Sequence, residues 1–262
     1  MKASLIITTC NRPDALIQVL RSVEVQSILP NEVIIADDGS TDSTKKIIES
    51  FTKSSKLNVI HSWQEDKGFR VSRSRNKAIA KSTCEYIILI DGDVILHNKF
   101  LEDHIKHSEP GFFIQGSRVL ISEEATMRLL RNNTNKFSFF SKGLSNRKNS
   151  IHSNLLSIIF TKKLTSIKGI KTCNFSFYKK DCLEINGFNN KIEGWGREDS
   201  EFVVRILNNG IIRKDILFNS IQFHLWHPKS SRALLGKNEK ILEEAIQKKL
   251  DWCEDGLNKF IK

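Results

Sequence analysis

Two aspartates separated by one glycine follow an apolar run and are the first candidates for chemistry. Asp91, Gly92 and Asp93 come directly after residues 86–90. Because glycine has no side chain, both carboxylates can approach one ligand without steric conflict. Two hard oxygen donors suit Mg²⁺ or Mn²⁺ bound together with substrate phosphates. Asp-Gly pairs are also ordinary turn formers, so the triplet indicates a ligand site only because of its position at the end of a predicted strand.

A second acidic pair follows a glycine-containing turn. Trp195 lies between Gly194 and Gly196, and Glu198 and Asp199 begin a predicted helix. Carboxylates at a helix N-terminus are favoured by the helix dipole and by capping alone. The adjoining indole, which can stack on a sugar ring, favours a functional interpretation over a purely structural one.

The elements that must position these residues alternate between strand and helix. Apolar runs predict strands at residues 4–9, 32–37, 57–63 and 86–90, with helices beginning near residues 13, 42, 71 and 98. This alternation predicts an α/β fold with a mostly parallel central sheet flanked by helices. Ligands of such sheets bind at the carboxyl ends of the strands. Asp37 and Asp38 follow the second strand there, and Asp91 and Asp93 follow the fourth.

The pattern is less regular in the second half of the chain. A strand is predicted at residues 112–121, after which periodicity fades between Asn132 and Gly169. A long irregular segment within a compact domain is typical of a functional lid or of disorder. Regular structure is predicted again at residues 172–178, in a helix from Glu198 to Asn208 closed by Gly210, in a strand ending at His224, and in a helix from about Asn238.

The positive charge is concentrated in one stretch. The formal net charge is +11, but between Ala125 and Lys180 there are twelve Lys or Arg residues and no Asp or Glu. The rest of the chain is nearly neutral and carries no nucleic-acid motif, so we expect no nucleic-acid partner. The stretch is interpreted as a solvated loop, a groove for an anionic acceptor, or a patch attracted to an anionic membrane at about 1 kcal/mol per basic residue. We favour the last two together, with Phe137, Phe139 and Phe140 entering the interface.

Cysteine usage and hydropathy predict the compartment. The five cysteines are widely spaced and form no Cys-x-x-Cys pair, which argues against a zinc or dithiol site. No apolar run approaches the roughly 20 residues of a membrane-spanning helix, and the first apolar stretch is too short for a secretion signal. We therefore expect a cytoplasmic protein, peripheral on the inner face of the membrane where the basic stretch binds lipid.

Five motifs, taken in order, resemble those of the inverting family 2 glycosyltransferases of the GT-A fold. They are TTCNRP at residues 8–13, DDGS at 37–40, GFRVSRSRNKAI at 68–79, DGD at 91–93 and GWGREDSE at 194–201. The resemblance extends from Ala3 to about Pro228, and the last motif is similar to that of the β-1,4-galactosyltransferase and chondroitin-polymerase group. It implies a single GT-A (Rossmann-like) domain over residues 1–262. Residues 1–121 would bind the nucleotide sugar, and residues 122–262 would bind the acceptor and contain a basic flexible segment at about 131–171.

The resemblance also implies a nucleotide site. Thr8 would line the nucleoside pocket and Asp38 would hold the uracil ring. Arg70 and Arg75 would face phosphate or ribose, as guanidinium groups commonly do. Asp91 would contact the ribose or a metal-bound water, so the donor is expected to be a UDP-sugar.

A metal site is implied in the same way. Asp93 would be the principal ligand of Mn²⁺ or Mg²⁺, and a histidine after a late strand would complete the shell. His224 is favoured over His227 because it ends the predicted strand. The metal would neutralise the charge that develops on the departing diphosphate.

On the acceptor side, the resemblance makes Asp199 the general base that deprotonates the attacking hydroxyl. Glu198 would bind the acceptor or the donor sugar, and Trp195 would stack on a sugar ring. The expected function is inverting transfer of a hexose or N-acetylhexosamine to a glycan or lipid-linked glycan during synthesis of a bacterial-type surface glycan, such as lipopolysaccharide or capsule. Galactose, glucose and their N-acetylated amino forms all fit the motifs.

Two other classes compete with this expectation. A nucleotidyltransferase also combines a parallel sheet with acidic metal ligands, but it would carry a glycine-rich phosphate loop after the first strand. Residues 8–14 contain no glycine. A family member without catalysis is disfavoured because Asp93 and Asp199 are both intact.

Overall fold

A computed structural model describes residues 1–132, 137–228 and 231–261, and strands and helices follow one another through these residues. The strands are β1 (Ala3–Thr9), β2 (Glu32–Asp37), β3 (Val59–Trp63), β4 (Tyr86–Asp91), β5 (Val94–Leu96), β6 (Phe112–Gln115), β7 (Arg118–Ile121), β8 (Leu144–Ser145), β9 (Lys162–Leu164), β10 (Asn174–Tyr178), β11 (Ile212–Asp215) and β12 (Gln222–His224). The helices are α1 (Pro13–Glu24), α2 (Asp42–Ser54), α3 (Val71–Lys81), α4 (Phe100–His107), α5 (Glu123–Asn132), α6 (Asn154–Phe160), α7 (Lys179–Glu184), α8 (Glu198–Asn208) and α9 (Leu235–Gln247).

The larger sheet has the strand order β3-β2-β1-β4-β10-β6-β11-β9. Its first four strands are parallel, as predicted, and the apolar residues of β1, β2 and β4 are buried because helices cover both faces. β10 runs antiparallel to β4 and β6, and β9 runs antiparallel to β11. The predicted α/β sheet flanked by helices is therefore confirmed, although the sheet as a whole is mixed.

Alternate residues of β1 enter two separate hydrophobic cores, because successive side chains of a strand point to opposite faces. Leu5 and Ile7 pack in the core that contains Leu16 of α1 and Phe100 of α4. Ile6 packs in the opposite core, which is formed with residues of α3 and α8. The two cores hold the carboxyl ends of β1, β2 and β4 at one edge.

The prediction of one strand over residues 112–121 was wrong. β6 pairs in the larger sheet, whereas β7 pairs in a four-stranded sheet of order β5-β12-β7-β8. The chain changes sheets at Gly116, whose N–H donates to the carbonyl of Asn174 at 2.9 Å. In the smaller sheet His224 pairs with Val94, so the end of β12 lies next to the residues that follow β4.

The segment predicted to be irregular, between Asn132 and Gly169, contains short elements: β8, α6 and β9. Residues 133–136 of that segment lie outside the described residues. Contacts that fasten it to the fold include a hydrogen bond between His152 Nε2 and Asp103 Oδ2 at 3.0 Å and one from the Ser153 N–H to the Phe218 carbonyl at 2.9 Å. Among the described residues no helix has the length and apolar character needed to cross a bilayer.

Candidate active site

Three strand ends bring the predicted nucleotide-site residues together. Thr8 pairs with Asp91 across β1 and β4, and the N–H of Gly92 donates to the Thr8 carbonyl at 2.6 Å. On the other side of β1, the N–H of Asp38 donates to the Thr9 carbonyl at 2.9 Å. Because β1 lies between β2 and β4, residues predicted separately from distant motifs meet at one edge.

Asp38 is buried and already holds two donors. Its Oδ1 accepts from Gln64 Nε2 at 2.6 Å, and its Oδ2 accepts from the backbone N–H of Arg70 at 2.7 Å. Burial raises the pKa of Asp38, although these hydrogen bonds oppose the shift. The guanidinium of Arg70 donates from Nη2 to the Glu65 carbonyl at 2.5 Å, and its Nε is buried without a hydrogen-bond partner among the described residues. The structure thus joins Arg70 to Asp38 through the main chain, and the roles of both toward a nucleotide stay predictions.

Arg75 of α3 is only 4% exposed and contacts three carboxylates. Its Nη1 lies 3.1 Å from Asp199 Oδ1 and 3.9 Å from Glu198 Oε1, and its Nη2 lies 3.6 Å from Asp91 Oδ1. Burial alone would lower the pKa of Arg75, but the negative charges of Asp199, Asp91 and Glu198 raise it overall. The Arg75 guanidinium therefore links Asp91 of the DGD motif to the two carboxylates of the GWGREDSE motif. Its predicted contact with phosphate or ribose stays a prediction.

Asp93, His224 and His227 form a compact group of possible metal ligands. One ligand atom from each lies within 4.8 Å of the others. His224 Nε2 is 3.6 Å from Asp93 Oδ1, and His227 Nε2 is 3.6 Å from Asp93 Oδ2. Asp93 Oδ1 is buried and has no hydrogen-bond partner among the described residues. Both histidines between which the sequence left a choice therefore face the predicted principal ligand.

The environment of His224 suits a metal ligand. Burial lowers the pKa of His224, against the opposing effect of Asp93, so the imidazole stays neutral around pH 7. A neutral imidazole is the form that binds a metal ion. The buried Asp93 oxygen without a partner and the two nearby imidazoles together fit a divalent cation.

Arg12 is a site residue that the sequence reasoning missed. Its Nη1 lies 3.1 Å from Asp93 Oδ2, at the N-terminus of α1. The available signal was its place in the TTCNRP motif, directly after the first strand. A guanidinium at this position adds a cation beside the strand end, where it can meet a diphosphate.

Glu198 and Asp199 begin α8 but have different surroundings. Asp199 accepts hydrogen bonds from the Thr172 hydroxyl at 2.6 Å and from the Thr172 N–H at 2.9 Å, as well as the contact from Arg75. Glu198 Oε2 is buried without a hydrogen-bond partner in the described parts of the chain. Burial raises the pKa of Glu198, and the charge of Asp199 raises it further. The donors fix the orientation of Asp199, whereas Glu198 has an oxygen free for a ligand.

The turn before α8 exposes an aromatic ring at the rim of the site. Gly194 has φ of 73° and Gly196 has φ of 102°, backbone conformations that favour glycine. Trp195 between them is 40% exposed, and the guanidinium of Arg232 lies 4.8 Å from the centre of its ring system. The indole is therefore partly exposed with a guanidinium over its ring, and its predicted stacking on a sugar ring stays a prediction.

Comparison with known protein families identifies two overlapping regions. Residues 4–180 match the family described as "Glycosyl transferase family 2", and residues 158–222 match the "N-terminal domain of galactosyltransferase". The first match covers more than half of the chain and contains four of the five motifs. The second contains Trp195, Glu198 and Asp199.

Similar curated proteins include two polysaccharide synthases. The chain is 28% identical to the hyaluronan synthase of Pasteurella multocida, over 81% of this chain and 23% of that protein. It is 22% identical to the chondroitin synthase of Escherichia coli, over 95% of this chain and 38% of that protein. The chain thus spans less than half the length of either relative.

A solved structure shows the same fold. The crystal structure of S. aureus TarS in complex with UDP aligns with a TM-score of 0.59 at 17% identity, over 92% of this chain and 64% of that one. At this identity the similarity supports the fold alone, and the predicted GT-A architecture is confirmed.

Proposed function

The chain belongs to glycosyl transferase family 2, and from that premise we propose that it transfers a hexose or N-acetylhexosamine from a UDP-sugar to a carbohydrate hydroxyl with inversion. The observation that carries the proposal is the arrangement at one sheet edge. There, Asp93 with two histidines lies beside Asp91, and Arg75 joins Asp91 to Asp199. The names of the relatives, hyaluronan synthase and chondroitin synthase, support a glycan or lipid-linked glycan of the cell surface as the acceptor.

Asp93, His224 and His227 would hold the divalent cation. Two imidazole nitrogens beside one carboxylate favour Mn²⁺ over Mg²⁺, since Mg²⁺ prefers an all-oxygen shell. When bound, the cation supplies a Lewis acid that stabilises negative charge on the leaving diphosphate.

The remaining residues of this chain would position donor and acceptor. On the donor side, residues 1–121 bind UDP: Thr8 and Asp38 face the nucleoside, Asp91 faces the ribose, and Arg12 and Arg70 are the cations nearest the phosphates. The structure of TarS with UDP supports a UDP-sugar as donor.

On the acceptor side, residues 122–262 supply the base. Asp199 Oδ2 or Oδ1 takes the proton of the acceptor hydroxyl as that oxygen attacks the anomeric carbon from the face opposite the diphosphate. The free oxygen of Glu198 accepts a hydroxyl of the acceptor or donor sugar, and Trp195 stacks on a ring. Attack from the opposite face inverts the anomeric configuration.

Nucleotide release from a panel of UDP-sugars tests this function without a known acceptor. We expect slow hydrolysis of one UDP-sugar in the presence of Mn²⁺, a lower rate with Mg²⁺ and no release after EDTA treatment. UDP formation, measured by chromatography, names the donor at the same time. If folded protein with Mn²⁺ neither binds nor hydrolyses any nucleotide sugar, the proposal is refuted. Release of pyrophosphate from a nucleoside triphosphate and a sugar 1-phosphate would instead identify a nucleotidyltransferase.

We also propose a peripheral contact with an anionic membrane, on the cytoplasmic face, through the basic stretch between Ala125 and Lys180. The described part of the stretch exposes an apolar surface on α6, where Leu155, Ile158 and Ile159 are 68%, 70% and 63% exposed. Lys162 and Lys163 follow this helix directly and are exposed. Apolar residues beside basic ones are typical of surfaces that bind anionic lipid.

Phe137 is less available than Phe140 for the predicted membrane contact. Phe137 stacks on Phe223 with ring centres 4.9 Å apart and packs against a hydrophobic core. The Phe137 side chain is therefore partly buried by this packing, whereas Phe140 is 84% exposed. The apolar contribution is expected from α6 and Phe140.

Vesicle sedimentation tests the membrane contact. We expect the protein to sediment with vesicles containing phosphatidylglycerol at low salt, and to remain in solution with purely zwitterionic vesicles. Ile158→Ser combined with Ile159→Ser is expected to reduce binding, because each buried apolar side chain contributes about 1.5–3 kcal/mol. Ile246→Ser, at an exposed position of α9, is the matched control and is expected to bind like the wild type. Equal binding by all variants, or no binding at all, would refute the contact.

A further inference from the structure

A polar cavity of about 260 Å³ opens between the turn that joins β6 to β7 and the start of β10. Ten of its fourteen lining residues belong to residues 122–262, the half proposed to bind the acceptor. Its volume is close to the lower end of small-molecule cavities, roughly 300 Å³, and suits one sugar residue rather than a long glycan. The donor, metal and base roles proposed above do not use it, and part of its wall belongs to the basic stretch for which the sequence suggested a groove for an anionic acceptor.

The cavity carries uncompensated positive charge. Arg118, Lys171 and Arg213 line it together with one acidic residue, Asp215. Arg213 is neutralised by that aspartate, with Nη2 2.8 Å from Asp215 Oδ2.

The other two cations have no such partner. Within residues 1–132, 137–228 and 231–261, no carboxylate oxygen lies within 4.0 Å of a side-chain nitrogen of Arg118 or Lys171. Among the described residues, the hydrogen bond found for the Arg118 side chain is a weak one, from Nη1 to Cys173 Sγ at 4.0 Å. Both side chains are partly buried, so part of their hydration is lost without a direct carboxylate contact to replace it. The Asp91 carboxylate acts on Arg118 electrostatically, but from beyond 4.0 Å.

The cavity wall adjoins the proposed base. Lys171 and Cys173 line the cavity, and Thr172 between them donates both its N–H and its hydroxyl to Asp199. The backbone at Lys171 is fixed by a hydrogen bond from its N–H to Gln115 Oε1 at 2.9 Å. A ligand group bound in the cavity would therefore lie next to Thr172, which precedes β10 and orients Asp199.

Resting on the function proposed above, we propose that this cavity binds an anionic group, a carboxylate or a phosphate, carried by a sugar substrate of the reaction. Arg118 offers a planar guanidinium that can bind such a group through two parallel hydrogen bonds, and Lys171 adds a second charge. The acceptor is the expected carrier, because most of the cavity belongs to the acceptor half. The cavity would then select charged over neutral sugars.

Calorimetric titration with simple glycosides tests the cavity without turnover. The probes are methyl β-D-glucuronide, methyl β-D-glucoside 6-phosphate and the neutral methyl β-D-glucoside, each added to the full chain with Mn²⁺ and UDP. We expect one charged glycoside to bind at least about tenfold more tightly than the neutral one, as hydrogen bonds between charged groups allow. Arg118→Gln and, separately, Lys171→Gln are expected to remove this preference. Lys180→Gln, an exposed lysine of the same basic stretch, is expected to keep it.

Binding of UDP-sugars shows whether the anionic group is carried by the acceptor sugar or by the donor sugar. If Arg118→Gln weakens binding of UDP-glucuronic acid but not of UDP-glucose, the anionic group belongs to the donor sugar, and the cavity assignment holds. Equal affinity for charged and neutral ligands in both arms, including no binding, overturns the proposal, as does unchanged preference in both folded variants. Hydrolysis of a UDP-sugar by the same preparation reports on the proposed function separately, so the two failures can be told apart.

Discussion

Replacing Asp199 with Asn is expected to slow UDP release from the donor sugar about 100- to 10,000-fold, the range typical of a lost general base. The amide has nearly the same volume as the carboxylate and can still accept a hydrogen bond from Thr172. It cannot take a proton from the attacking hydroxyl or water. Because Asp93, His224 and His227 are untouched, the affinity for UDP with Mn²⁺ is expected to change little. The effect should therefore appear in kcat rather than in nucleotide binding.

Steady-state kinetics beside calorimetric binding of UDP checks this split. Asp251→Asn, an exposed carboxylate outside the site, is the matched control and is expected to keep wild-type activity. A folded Asp199→Asn protein with nearly normal kcat would remove Asp199 from the role of base. A loss of UDP affinity equal to the loss of activity would point to a structural role through Arg75.

Replacing Asp93 with Ala is expected to lower UDP release by about 100- to 1,000-fold, since a Lewis acid at a leaving diphosphate contributes several kcal/mol and each 1.36 kcal/mol is tenfold in rate. Unlike Asp199→Asn, this change should also remove the dependence of UDP binding on Mn²⁺. The substitution removes Asp93 Oδ1, the buried oxygen that has no hydrogen-bond partner among the described residues. Manganese binding can be followed by electron paramagnetic resonance.

Single replacements of the two histidines extend this test. His224→Ala and His227→Ala are each expected to raise the Mn²⁺ concentration that gives half-maximal activity, because each side chain lies 3.6 Å from Asp93. His61→Ala is the control, since His61 pairs with Asp37 instead. Full activity of Asp93→Ala in the presence of EDTA would show that the reaction needs no cation at this group.

The parts of the site that the sequence predicted follow from local pattern. A strand ending in Asp37 and another ending at Asp91 are visible as apolar runs that stop at acidic residues, and α/β alternation then implies that these ends meet. The structure brings Thr8 and Asp91 into direct register in this way. The start of α8 at Glu198 was likewise predictable from acidic residues after a glycine turn.

The parts that were missed depend on contacts between distant residues. Arg75 was predicted to face phosphate or ribose, but its ion pairs with Asp91 and Asp199 join residues that lie far apart in the sequence. The split of residues 112–121 between two sheets depends on a backbone hydrogen bond from Gly116 to Asn174. The pairing of His227 with Asp93 requires the smaller sheet, whose short strands leave little periodic signal. Local propensity carries no information about such partners.

The contacts of Arg75 also bear on how the family can change its specificity. Asp91 and Asp199 are far apart along the chain, yet one buried guanidinium holds both, and Asp199 is 124 residues from Arg75 in sequence. The distance between Asp91, on the side of the leaving diphosphate, and Asp199, the proposed base, is thus set by ion pairs rather than by the length of the chain between them. Lengthening a loop costs little free energy, roughly 0.6 kcal/mol for each doubling. Insertions between β7 and β10 are therefore expected to change which acceptor is recognised while Asp91 and Asp199 keep their separation. This makes the region suitable for engineering a new acceptor specificity.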